Sequence, residues 1–165
     1  MQPIFNISRL LEPGQYSLTD VFADIRLYDV LKTIFPDARE FESVMTNIKV
    51  FVVDHAHEMF VDNGNGSITI GMTHLRQASN EILYLDIIHE LCHVKQHLER
   101  RNLYDRSKAY VDRETEVEAY RVTVDEARKI GLDDEAISNY LRVSWITPNE
   151  HRRLCGRLNV DSKTI

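Results

Sequence analysis

The stretch YLDIIHELCHVKQH, residues 84–97, sets two histidines and a glutamate inside a largely apolar run. Around a helix drawn from residue 80, apolar side chains (Ile82, Leu83, Leu85, Ile87, Ile88, Leu91, Val94, Leu98) cover much of the circumference, the signature of a helix packed on several sides. Any fold that accommodates this helix must place it centrally, and burying imidazole and carboxylate groups there is costly unless they are partnered. His89 and His93 stand at i and i+4, so both rings project from one face a turn apart, with Glu90 beside them. Such an HExxH pair is half of a site for a divalent cation. The plainer reading is two core histidines hydrogen-bonded to backbone or carboxylate groups, and a third ligand decides between the two.

An extended HExxHxxGxxH pattern would need glycine and histidine where the chain has Gln96 and Glu99. Glu99, six residues past His93 on an unbroken helix, points off the histidine face. The next expected helix, DRETEVEAYRVTVDEARKI (112–130), must fold back against the first and opens with Glu114, Glu116 and Glu118. Ala119 lies three residues beyond Glu116 and shares its face, marking a side where another helix can come close. Glu114 and Glu118 form a separate i,i+4 pair, and Glu114 suits a solvated first turn.

The rest of the chain supports an α+β reading, one domain over 1–165. Ser17 and Asp20 cap a helix running to Phe35, stopped by Pro36, and PDAREFESVM is a second short helix. The β-branched IKVFVV (48–53), HEMFV (57–61) and SITIGM (67–72), the last two joined by the turn DNGNG, form a β-meander of about three strands. That turn lacks the oxygen ligands of a calcium loop at Gly64 and Gly66. His55 and His57 make an HxH pair that is read as surface histidines. Downstream, Asp112 caps the glutamate-bearing helix and Gly131 stops it; Asp133 caps another; Thr147, Pro148 and Glu150 open a last helix that Asn159 ends. A net charge of −6 argues against nucleic-acid binding. No apolar run reaches membrane-spanning length, and MQPIFNISRLLEPGQYS lacks a signal peptide's pattern, so a cytoplasmic location is expected. Cys92 and Cys155 have no framework spacing and read as reduced packing thiols.

With His89, Glu90, His93 and, downstream, Glu116-Val117-Glu118-Ala119, the sequence resembles the gluzincins, thermolysin-like metallopeptidases in which a glutamate on a later helix opens an E-x-x-A-(D/N) pattern. Tyr120 departs from that last position, which puts in doubt the bond an Asp or Asn there would make to a ligand histidine. In size the chain is similar to the minigluzincins. The resemblance implies a zincin-like fold, one catalytic Zn2+ held by His89, His93 and Glu116, and Glu90 as the general base of peptide hydrolysis. It also implies a substrate strand just before the zinc helix, here Ser67, Ile68, Thr69, Ile70 and Gly71. The implied partner is a peptide or protein substrate, acted on by a monomer or homodimer. Tyr104, Tyr110, Tyr120, Tyr140 and His151 are candidate oxyanion donors, and Asp86 a candidate hydrogen-bond partner within the site. The competing expectations are a catalytically silent regulatory or scaffold protein that keeps the metal site, and a latent enzyme whose own terminus or a second copy fills the cleft, helix 148–158 being one available plug.

Overall fold

The computed structural model of the protein describes residues 5–56 and 58–162. Its sheet has four strands, β1 (Gly14–Ser17), β2 (Lys49–Val53), β3 (Met59–Val61) and β4 (Ile68–Gly71), in the order β1-β2-β4-β3. Among the described residues eight α-helices accompany it: α1 (Leu18–Val21), α2 (Val30–Ile34), α3 (Ala38–Asn47), α4 (Met72–Gln77), α5 (Asn80–Leu98), α6 (Glu114–Lys129), α7 (Asp134–Leu141) and α8 (Pro148–Arg157). The class is α+β. No helix among the described residues is long and apolar enough to cross a membrane.

The sheet is mixed and is not the expected meander. β2 pairs parallel with β4, Val50 opposite Ile68, while β3 sits outside β4 and pairs with it antiparallel. Parallel neighbours need a crossover of a dozen or so residues, and residues 54–67, β3 included, supply it. β1, whose sequence GQYS carries no β-branched residue, had no strand signal; it is recruited by antiparallel pairing with β2. β4 is therefore an inner strand, hydrogen-bonded along both edges. The main chain of Ile68, Thr69, Ile70 and Gly71 is committed to its neighbours, as is Ser67, whose carbonyl accepts from Asp62 N. The expectation that these residues form a substrate-receiving edge is thereby corrected: β3 is the free edge on that side of the sheet.

The single helix expected from Ser17 to Phe35 is broken. The capping box is present, Ser17 Oγ accepting from Asp20 N and Asp20 Oδ2 accepting from Ser17 N. After one turn, however, the Val21 carbonyl accepts from Ser8 N and Ala23 N donates to the Asn6 carbonyl. The amino-terminal segment thus takes backbone groups that a continuing helix would use, leaving a 3-10 turn at Ile25–Leu27 and then α2. Val21, Phe22, Ile25, Tyr28 and Leu31 are nonetheless all buried, so the periodicity reported burial correctly and continuity wrongly. α3 starts at Ala38, two residues later than Pro36, because the Asp37 carboxylate accepts from Arg39 N and Glu40 N. Asp112 lies in a 3-10 turn paired with Arg153, and Arg113 takes the cap position of α6. The other caps stand as expected: Asp133 on Ala136 N, and Thr147 with Glu150. Gly131 and Asn159 follow their helices with φ of 94° and 54°.

One cluster of buried apolar side chains extends from Leu18 to Val160. α5 runs through it, with Leu83, Leu85, Ile87, Ile88, Leu91 and Val94 fully inaccessible. Packing around most of its circumference holds α5 in place, as a scaffold that presents ligands requires. Cys92 and Cys155 are both free and buried, and burial pushes the Cys92 thiol up to about 12.

Candidate metal centre

His89 and His93 project from α5 toward α6, and Glu116 projects back from the first turn of α6. His89 Nε2 and His93 Nε2 lie 3.0 Å apart, and Glu116 Oε2 is 3.1 Å from the first and 3.3 Å from the second. All three side chains are buried. Donors about 2.0–2.2 Å from a shared tetrahedral ion stand roughly 3.3–3.5 Å from one another, so these separations approach those of a ligand set. Two ring nitrogens and a carboxylate oxygen converge in a buried place, bridged by hydrogen bonds at distances a shared cation could replace. His89, His93 and Glu116 can hold a metal ion.

Comparisons with protein-family models, with curated proteins and with solved structures give no match. The likeness to gluzincins therefore rests on the chain's own residues.

The electrostatics carry the same sign. Burial disfavours ionised Glu116, but hydrogen bonds and charge from His89 and His93 outweigh it and hold the carboxyl far below the usual range. Burial likewise opposes a charged His93, yet Glu116, Glu90 and Gln96 raise it to about 9. His89 is pushed down, chiefly by burial. The cluster thus demands positive charge beside an ionised carboxylate, a demand that a divalent cation meets more fully than one proton. Of the competing glutamates, Glu114 is exposed and paired with Arg157, and Glu118 is exposed and paired with Arg101. Ala119, fully buried, occupies the packed side of α6 as its spacing implied.

The three residues border a cleft of about 650 Å³, which Glu90 also lines. Burial raises the Glu90 carboxyl to about 8, with Glu116, Asp86 and Glu58 adding to that and His93 opposing it. One side of the cleft is formed by Glu58, Met59 and Phe60 at the β3 edge, the other by Asn139, Tyr140 and residues 142–145. Of these wall residues the sequence singled out Tyr140 alone. The cleft mouth gathers exposed aromatic side chains: Phe60, Tyr104 and Trp145 are 45, 40 and 52% accessible. Of the expected oxyanion donors, Tyr104, Tyr110, Tyr120 and Tyr140 line the cleft, whereas His151 is buried elsewhere with its Nε2 on the Ser138 carbonyl at 2.8 Å. No residue of α8 lines the cleft, so the plug expected at 148–158 is not there. His55 is exposed in a bend, and His57 lies outside the described residues.

Tyr120 bears out the doubt raised at that position: its ring packs on His89 at 4.3 Å between centroids, and the buried His89 Nδ1 has no hydrogen-bond partner among the described residues. Two partners, Gln96 and His74, escaped the sequence reading. Gln96 Oε1 lies 2.7 Å from His93 Nδ1, a pairing that an amide three residues after a ligand histidine could have signalled. Asp86 receives His74 Nε2 at 2.6 Å and the Tyr140 hydroxyl at 2.9 Å; nothing local in the sequence marks His74.

The hydrogen bond to Asp86 raises His74 above its ordinary 6.5, with burial opposing and the charges of Asp86 and Glu58 assisting. A raised histidine contributes stability that is complete below the unfolded value and lost as pH climbs through the folded one. In an NMR titration His74 should lose its proton above pH 6.5 in the native chain and at a lower pH in Asp86→Asn. Equal midpoints in the two proteins would show that the pair does not set the charge.

Proposed function

We propose that this protein is a zinc-dependent metallopeptidase. The observation that carries the reading is the convergence of His89 Nε2, His93 Nε2 and Glu116 Oε2 beside a cleft that Glu90 shares. Two imidazoles and one carboxylate are a donor set suited to catalytic zinc, leaving a coordination position for water or substrate. When bound, zinc supplies Lewis acidity and makes a water acidic enough to give up its proton near pH 7.

The chain's own groups supply the rest. Glu90 takes the water's proton as the water attacks a peptide carbonyl, and returns it to the departing amine. Its basicity, raised by burial, suits proton acceptance, and a neighbouring dication draws that value toward neutrality. An extended peptide is received along β3. Asp62 N to Ser67 O and Gly71 N to Glu58 O show that even-numbered positions face β4. Met59 and Val61 therefore present their main chain to the outer edge, where the Tyr104 hydroxyl already donates to the Val61 carbonyl. The Met59 edge is the place for strand addition, and the aromatic mouth favours bulky apolar substrate side chains. The Tyr110 and Tyr120 hydroxyls, 2.7 Å apart, share one hydrogen bond between two protons. One O–H is left to donate to a developing oxyanion close to His89.

The low exposure of His89, Glu90, His93 and Glu116, at most 7% each, favours a second reading, a metal site kept for stability or sensing in a regulatory or scaffold protein. A broad peptide-cleavage screen on the zinc-loaded chain separates the two. The peptidase cuts peptides, stops with a chelator and resumes when zinc is restored. A zinc-loaded chain that cuts nothing supports the silent reading, and cleavage that ignores the chelator rejects this metal centre as its source.

A further inference from the structure

Gln96 stands one turn beyond His93 on α5 and is 4% exposed. Its carboxamide is engaged at both ends. One end meets two acceptors, the Thr115 carbonyl at 2.9 Å and Glu118 Oε2 at 3.2 Å; the other meets His93 Nδ1 at 2.7 Å. A carboxamide has one donating and one accepting end. A carbonyl and a carboxylate can only accept, so the amide NH2 lies toward them and the oxygen faces the imidazole. That oxygen must receive a proton, which places N–H at His93 Nδ1. In the neutral ring, the form that can take a cation, the lone pair is then on Nε2, the atom that faces His89 and Glu116.

We infer that Gln96 is a positioning residue of the metal centre: it fixes the coordinating form of His93 and ties that ring, through the Thr115 carbonyl, to the turn of α6 that carries Glu116. The inference rests on the metal-binding reading above. The two ligand histidines are served unequally, because Tyr120 packs on His89 without accepting from its Nδ1. Among the described residues, Gln96 is thus the one hydrogen-bond partner on the outer nitrogen of a ligand imidazole, that of His93. The outer end is anchored as well. Glu118 is gripped by both terminal nitrogens of Arg101, with Nη2 at 3.0 Å from Oε1. A continuous line, Arg101–Glu118–Gln96–His93, thus links the surface to the metal centre. Outer partners of ligand histidines typically govern about 10–100-fold in metal affinity, and with no second such partner here the effect should fall toward the upper end.

The test is zinc affinity of the full chain by competition with a chromophoric chelator, joined to 15N NMR of the zinc-loaded protein. Gln96→Met keeps the length and removes both hydrogen-bonding ends; it should bind zinc about 10–100-fold more weakly. In the unsubstituted chain His93 should coordinate through Nε2 and show a slowly exchanging Nδ1–H, a resonance that loses its protection in the variant. Binding by Gln96→Met within twofold of the native chain overturns the inference. So does a native His93 that coordinates through Nδ1, a result that decides the matter even if the variant does not fold. A native chain that takes up no zinc sinks the underlying metal reading, and is told apart by failing before any variant is made.

Discussion

Glu90→Gln is expected to keep its zinc and to lose peptide hydrolysis by about 10²–10⁴-fold, the usual worth of a positioned general base. The substitution preserves shape and leaves His89, His93 and Glu116 untouched, so a zinc content equal to that of the native chain is part of the prediction. The amide cannot take up the water's proton, and the loss should fall on kcat more than on KM, because the proton moves in the transition state. A second consequence follows from burial. The carboxyl is held at about 8, above its ordinary 4.5, so ionising it in the folded chain is unfavourable. For a carboxyl raised on folding, stability is highest below about pH 4.5 and declines as pH rises toward the folded value. Removing the ionisable group lifts that penalty, and the zinc-free variant should melt above the zinc-free native chain at neutral pH. Unchanged cleavage by the variant would remove Glu90 from the mechanism. Loss of zinc would instead make Glu90 a ligand.

The parts of this centre that the sequence made legible are those fixed by helical spacing. His89, Glu90 and His93 are neighbours on any helix, and a chain that turns back after Leu98 brings Glu116 within reach. Ala119 then indicates which face of α6 is packed. The helix caps were equally readable at Ser17, Asp133 and Thr147, because a cap is a local hydrogen bond. What could not be read depends on distant pairing. Hydrophobic alternation identified KVFVV and ITIG as strands, yet whether neighbours lie parallel, and which of them is the edge, is decided by the path of residues 54–67. That single unknown put the free edge of the sheet at β3 and made β4 an inner strand. The break after Val21 has the same origin, since the competing partners, Asn6 and Ser8, come from another part of the chain. Gln96 is instructive in another way: read against an extended motif it served only to exclude a histidine-rich ligand set, whereas its neighbours in space make it a partner of His93.

Glu116→Ala should show the largest effect on metal binding, exceeding the roughly 10–100-fold assigned to outer partners such as Gln96. The carboxylate is the only negative ligand in the set, and without it a dication would rest on two neutral imidazoles in a buried place. The substitution also reaches the zinc-free chain. There Glu116 is ionised and braces a positively shifted His93, so its removal leaves His93 to give up its proton, and the His93 titration should move down from about 9. Zinc present at about a thousand times its dissociation constant adds about 4 kcal/mol to the stability of whatever binds it. For a chain of this length that corresponds to a rise in melting temperature of roughly 8–16 °C. The native chain should show that rise and Glu116→Ala should not, while Glu114→Ala, at an exposed position paired with Arg157, should behave as native. Glu118 is a poorer control because it touches Gln96. Scanning calorimetry with and without zinc, read alongside metal content by mass spectrometry, distinguishes the cases. If Glu116→Ala retains stoichiometric zinc and the full thermal shift, the third ligand lies elsewhere and the proposed chemistry loses its foundation.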